Sequence, residues 1–152
     1  MSQTAKRHKP DPQAAALAST SDPSERGPFY KILRQDLTHH GFVYQPGLNV
    51  DTQHFEPDVR CSGGLYFSDL EHLVEYLEYG DLVARVTVPP EARWIQEAHG
   101  KFKADRIILS DIQPWKDCDF WHDATFVKRA VAFCGLYLEH AKNQTPELCW
   151  AA

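Results

Sequence analysis

The chain has 152 residues, of which 43% are hydrophobic, enough for one core and in the range of one domain. The net charge is −5 with a pI near 5.9, so the totals carry no electrostatic footprint for nucleic acid or an anionic membrane. No apolar run approaches the ~20 residues that span a bilayer, and no apolar signal core opens the chain. The expected setting is the cytoplasm, without a membrane anchor.

Residues 1–28 hold four of the ten prolines, and only Met1 and Leu17 are large and apolar. Such a stretch cannot offset its ordering entropy by burial, and a disordered tail is expected there. Its basic cluster, Lys6-Arg7-His8-Lys9, fits a nuclear localisation signal, although solvated charge in a tail is the commoner meaning. A single globular domain is expected over residues 29–152. Phe29 to Leu33 is short, aromatic and β-branched, and reads as a strand. Thr38 to Val50 is turn-rich, with a short strand at Phe42-Val43-Tyr44. Gly63-Gly64 feeds a strand at Leu65-Tyr66-Phe67.

Ser68-Asp69-Leu70-Glu71 matches a capping box, S-x-x-E, and predicts an α-helix to Tyr79. Leu70, Leu73, Val74 and Leu77 form its apolar stripe, and Gly80 supplies a left-handed stop. Leu82 to Val88 is a strong strand ended by Pro89-Pro90. A weaker strand comes next at Ala92 to Ile95, and another strand at Arg106 to Leu109, with Ile112 as its extension. A last helix is predicted from Ala124 to Lys142, burying Val127, Ala130, Val131, Cys134, Leu138 and Ala141. No internal repeat is visible. Strands dominate the middle of the chain, so the expected class is α+β rather than alternating βαβ.

Cys118 and His122 lie one helical turn apart, but no second pair stands at zinc spacing, so no metal site is expected. Cys61 is a loop cysteine that a distant histidine could activate. The four cysteines are expected to be reduced thiols. An ordered set of fragments is more specific. His40-Gly41 comes after the first strand, Gly64-Leu65-Tyr66-Phe67 runs toward a helix, and Asp105 enters a later strand as Ala104-Asp105-Arg106-Ile107-Ile108.

In these fragments, over about residues 29–112, the chain resembles the diphtheria-toxin-like ADP-ribosyltransferases, including the poly(ADP-ribose) polymerases. The family carries His-Gly after its first strand, a Gly-x-Tyr-Phe strand and a later glutamate, here replaced by Asp105. The resemblance implies an antiparallel, split β-sheet core with two or more helices. It also implies NAD as substrate and mono-ADP-ribosyl transfer to a protein or nucleic-acid acceptor. His40, Tyr66 and Asp105 would be the catalytic set, and His40, Gly41, Gly64, Tyr66 and Tyr79 the NAD contacts. In that reading Tyr66 stacks on nicotinamide, His40 bonds a ribose hydroxyl and Asp105 stabilises the oxocarbenium-like cation.

By the His40-Gly41-Phe42 turn, the Gly47-Leu48-Asn49 segment, Cys61 followed by Gly64-Leu65-Tyr66-Phe67, and the Lys103-Ala104-Asp105-Arg106-Ile107-Ile108 strand, residues 29–115 are also similar to uncharacterised small domains of large DNA viruses and bacteriophages, to which no activity attaches. Two alternatives to transferase chemistry stand. One is an RNA 2′-phosphotransferase-type enzyme, which would gather Arg34, Arg60, Arg85 and Arg93. The other is a non-catalytic interaction module, for which Trp115, Trp121 and Trp150 would form an exposed surface.

Overall fold

A computed structural model describes residues 22–58, 63–98 and 100–145. The fold of these residues is α+β. Its strands are β1 (Phe29–Leu33), β2 (Thr38–His39), β3 (Phe42–Val43), β4 (Gly47–Val50) and β5 (Leu65–Asp69). They continue with β6 (Leu82–Thr87), β7 (Trp94–Ala98), β8 (Lys101–Ala104) and β9 (Arg106–Pro114). One α-helix, α1 (Ala124–Phe133), and short 3₁₀ segments complete it. Seven strands form one sheet in the order β4-β9-β6-β1-β5-β8-β7, with every pair antiparallel, and β2 and β3 form a separate hairpin.

Alternation along the strands sorts two cores onto the two faces of the sheet. Ile32 and Val83 face the helical layer, where Leu73, Val74, Leu77, Trp121, Phe126, Val127, Ala130 and Val131 are buried with them. Phe29, Leu33, Ala84, Val86, Phe67, Phe102, Ile107 and Leu109 form the second core. The sheet curls around this second core for a covalent reason. β8 and β9 are joined through the single residue Asp105, yet β6, β1 and β5 lie between them in the sheet. The intervening strands must therefore bend until the two ends meet. Hydrogen bonds from Asp105 N to Arg93 O and from Asp51 N to Asp105 O, both 2.9 Å, tie the bend to its neighbours.

Several sequence expectations need correction. In the turn-rich stretch Thr38 to Val50 the expected short strand is present as β3, but it pairs with β2 in a hairpin, and an unexpected edge strand, β4, comes next. Ser68 does not cap a helix: it is a buried residue of β5, and its hydroxyl donates to Asp69 O at 3.1 Å. Asp69 organises the turn instead, accepting from His72 N at 2.9 Å and contacting His72 Nδ1 at 2.8 Å. The turn leads into a 3₁₀ helix, Leu73–Tyr79, that still buries Leu73, Val74 and Leu77. Gly80 is extended rather than left-handed. It is glycine because a Cβ there would collide with the Leu33 carbonyl.

The last helix is shorter than the periodicity predicts. The Asp123 carboxylate caps it by accepting from Phe126 N at 2.8 Å, and it ends at Phe133. An extended Cys134 then leads into a 3₁₀ turn, Gly135–His140. The change of direction brings Tyr137 within 6.0 Å of Trp115 and 6.2 Å of Trp121, between ring centres. Trp121 is 0% exposed and donates from Nε1 to Trp115 O at 2.8 Å. Trp115 is half-buried, its Nε1 on Gly80 O at 2.8 Å. These tryptophans build the helical core, so the expected exposed tryptophan surface is not formed by them. Trp150, Cys61, Arg60 and residues 1–21 of the tail expected over 1–28 lie outside the described residues; the rest of that stretch contains a 3₁₀ turn at Pro23–Glu25.

Candidate binding cleft

β1 and β5 pair only at Phe29–Asp69 and Tyr30–Ser68. Beyond those residues the strands part, and Lys31 fills the gap. Its Nζ donates to Tyr66 O across the split at 2.7 Å and lies 4.6 Å from the centre of the Tyr44 ring. Lys31 shares a strand face with Phe29 and Leu33, so alternation points it inward, and it is 4% exposed. Burial lowers its pKa to about 7. The Tyr44 ring favours the charged amine, but lost hydration outweighs it. Among the described residues no carboxylate makes an ion pair with Lys31.

The gap opens into a cleft of about 610 Å³. One wall is the tip of the β2–β3 hairpin. His40 and Gly41 have φ of 48° and 78°, positive at both central residues, as a type I′ two-residue turn requires. The His-Gly dipeptide thus has a conformational reason to be where it is. Tyr76 and Tyr79 of the 3₁₀ helix form another wall. The His39 and His40 rings are tilted against each other with centroids 4.1 Å apart, and Tyr79 lies edge-on to His39 at 6.4 Å. Burial first, then charge repulsion from the direction of Lys31, His40 and Arg34, lowers the His39 pKa to about 4, so its ring is neutral near pH 7.

His40, Gly41, Gly64, Tyr66 and Tyr79 all line this cleft; Asp105 does not. The expectation that His40, Tyr66 and Asp105 converge is corrected. Asp105 is 8% exposed and sits at the β8–β9 bend. Its carboxylate accepts from Arg93 N at 3.0 Å and Arg93 Nε at 3.3 Å. Arg106 Nε lies 3.4 Å away in charge contact. The carboxylate is spent on bracing the bend.

Tyr66 belongs to a partly buried charge network. Its hydroxyl donates to Glu97 Oε1 at 3.0 Å. Glu97 also pairs with Lys101 at 3.1 Å and with the fully buried Lys103 at 3.5 Å. Gly64 packs against that lysine: a Cβ there would lie 3.0–3.2 Å from the Lys103 stem. Sequence reasoning missed Lys31, His39, Glu97 and Lys103. The available signal was Lys31 in register with Phe29 and Leu33 on one strand face.

The Cys118 thiol is buried, with its pKa pushed up to about 11 by burial first and then by Asp119 and Asp117. It is therefore a poor nucleophile and metal ligand. Among the described residues, no three His, Cys, Asp or Glu side chains gather where a metal could sit. No helix of the described residues is long and apolar enough to cross a membrane.

No protein-family model matches the chain, and no solved structure does. Curated relatives are found in Acanthamoeba polyphaga mimivirus, each named as an ankyrin repeat protein. One is 34% identical over 100 residues, covering 61% of this chain and 50% of the relative. A second is 35% identical over 91 residues, covering 56% of this chain and 27% of the relative. A third is 37% identical over 90 residues, covering 53% and 15%. The chain thus spans half or less of the length of these relatives.

Their names overturn the expectations of ADP-ribosyltransferase kinship and of an NAD-dependent transferase. The fold adds a distinction. An ankyrin repeat is a turn and two helices, whereas the described residues form a curled sheet with one α-helix.

Proposed function

We propose that this domain is a protein-interaction module whose docking site is the cleft at the β1–β5 split. The carrying observation is the kinship with portions of proteins named for ankyrin repeats, since solenoids of that kind present extended binding surfaces. Composition of the cleft supports the reading. His39, His40, Tyr66, Tyr76 and Tyr79 surround it, and aromatic side chains are enriched at binding hot spots. Tyr79 is 58% exposed although its ring is large and apolar. His40, Gly41, Gly64, Tyr66 and Tyr79 are the proposed contact residues.

The test is a photocrosslinking amino acid at Tyr79 of the full chain, illuminated in its native host. A discrete protein adduct that disappears with His40→Ala or Tyr76→Ala is the expected result. Crosslinks indifferent to those substitutions, or none at all, would overturn the reading.

A further inference from the structure

We propose that the cleft recognises a carboxylate: an Asp or Glu side chain of the docked partner segment reaches Lys31 in the β1–β5 split. The inference deepens the interaction reading and rests on it for the nature of the ligand, while the amine site stands on its own geometry.

Three observations carry it. First, Lys31 lines the cleft, and an ammonium group has three donors, of which one is used among the described residues, on Tyr66 O at 2.7 Å. Second, among the described residues no carboxylate compensates the charge. Glu97 is taken by Lys101 and Lys103. The cleft residue Asp51 accepts from Gln53 N at 3.1 Å and makes no ion pair with Lys31. Third, Lys103 offers a direct contrast. That lysine is equally buried but has Glu97 and Asp58 at 3.5 and 3.8 Å. A buried lysine is normally paired. In one case the chain supplies the partner, and in the other the open cleft leaves room for it to come from outside. An incoming carboxylate would also restore the charge that burial has weakened.

The aromatic walls define the rest of the ligand. Tyr76 and Tyr79, 6.1 Å apart between ring centres, offer stacking surface beside the amine. The fitting segment therefore carries an aromatic residue next to its acid.

The test uses the full chain and two blocked dipeptides, N-acetyl-Tyr-Glu-amide and N-acetyl-Tyr-Gln-amide, titrated while the Lys31 side-chain resonance is followed by NMR. The Glu peptide is expected to bind about ten-fold more tightly, equivalent to about 1.4 kcal/mol, and to move the Lys31 signal. Lys31→Met should erase the preference. Lys31→Gln, which keeps an N–H donor for Tyr66 O, should erase it too and guards against a folding artefact. Tyr79→Ala should weaken both peptides alike. Equal affinities, a preference that survives both Lys31 variants, or no response of Lys31 to either peptide would overturn the proposal. The crosslinking at Tyr79 is read separately. Persistent adducts with Lys31→Met sink the carboxylate and keep the module, whereas Glu selectivity without a protein adduct sinks the module and keeps the site.

Discussion

Lys31 and His39 make the stability of this domain depend on pH in a direction that can be derived. The folded pKa of Lys31, about 7, lies below the ~10.4 of an exposed lysine. Between those values the unfolded chain binds the extra proton, so stability rises as pH climbs from 7 toward ~10. Above ~10 Tyr44 opposes the trend, because burial and Asp51 raise its pKa and the unfolded tyrosine ionises first. His39, at about 4, lies below the ~6.5 of a free histidine. The unfolded chain therefore takes that proton first, and stability falls as pH drops from ~6.5 toward 4.

Urea titrations at pH 7 and 9.5 should show the alkaline rise in the wild type. Lys31→Met should remove it and stabilise the protein at pH 7 by on the order of 1–4 kcal/mol, as when a buried ion gives way to an apolar side chain. A wild-type stability that is flat over this interval would mean the amine stays hydrated. Asp105 is the opposite case, a carboxylate fully engaged in holding the chain. Asp105→Ala should cost about 1–3 kcal/mol, because Arg93 N loses a charged acceptor. Asp105→Asn, which can keep that bond, should cost less. Equal stability of wild type and Asp105→Ala in urea would remove the bracing role.

At the scale of elements, local signals were legible where burial and chain pattern agree. Phe29 to Leu33, Leu82 to Thr87 and the start of β9 are β-branched or aromatic runs, and they are strands. The stripe Leu73, Val74, Leu77 was legible as a buried face, but not as a 3₁₀ helix starting after an extended Asp69. Ser68 satisfies the capping-box pattern, yet pairing of β5 with β1 and β8 claims it for the sheet. That is tertiary pairing overriding a local motif. Leu73→Ala should still cost ~2–5 kcal/mol, since Leu73 is 0% exposed. A change under ~0.5 kcal/mol, typical of surface sites, would contradict its burial. Two glycines separate strain from packing. Gly41 has a left-handed φ and open space around a Cβ, so Gly41→Ala should cost only the conformational ~1–2 kcal/mol. Gly64→Ala should cost more, because the new methyl also meets the Lys103 stem. Chemical denaturation of the two variants orders them, and the reverse order would refute the contact.

At the scale of the molecule, the cleft was legible only as scattered residues. His40, Gly64 and Tyr66 stand out in the chain, but their convergence depends on a strand pair that separates after two residues. Nothing local in Phe29 to Leu33 announces that Leu65 to Phe67 will diverge from it. The same split should govern how the fold opens. β1 pairs with β6 over five residues, from Phe29–Val86 to Leu33–Leu82, but with β5 over only two. The covalent continuity of β8 and β9 through Asp105 holds the ends of the curl together. Opening should therefore begin at the β1–β5 seam rather than at the sheet's ends. Stability is distributed in cooperative units, and the seam has fewer paired residues than β1–β6, β5–β8 or β6–β9. Native-state hydrogen exchange should show the amides bridging β1 and β5 exchanging through a lower-energy opening than those bridging β1 and β6. A ligand that spans the cleft from Lys31 to Tyr79 would stabilise the closed seam by linkage, slowing exchange there more than in β6. Uniform protection of both interfaces would mean that the seam and the rest of the sheet unfold as one unit, and the cleft would then be a rigid recess rather than the mobile element of the domain.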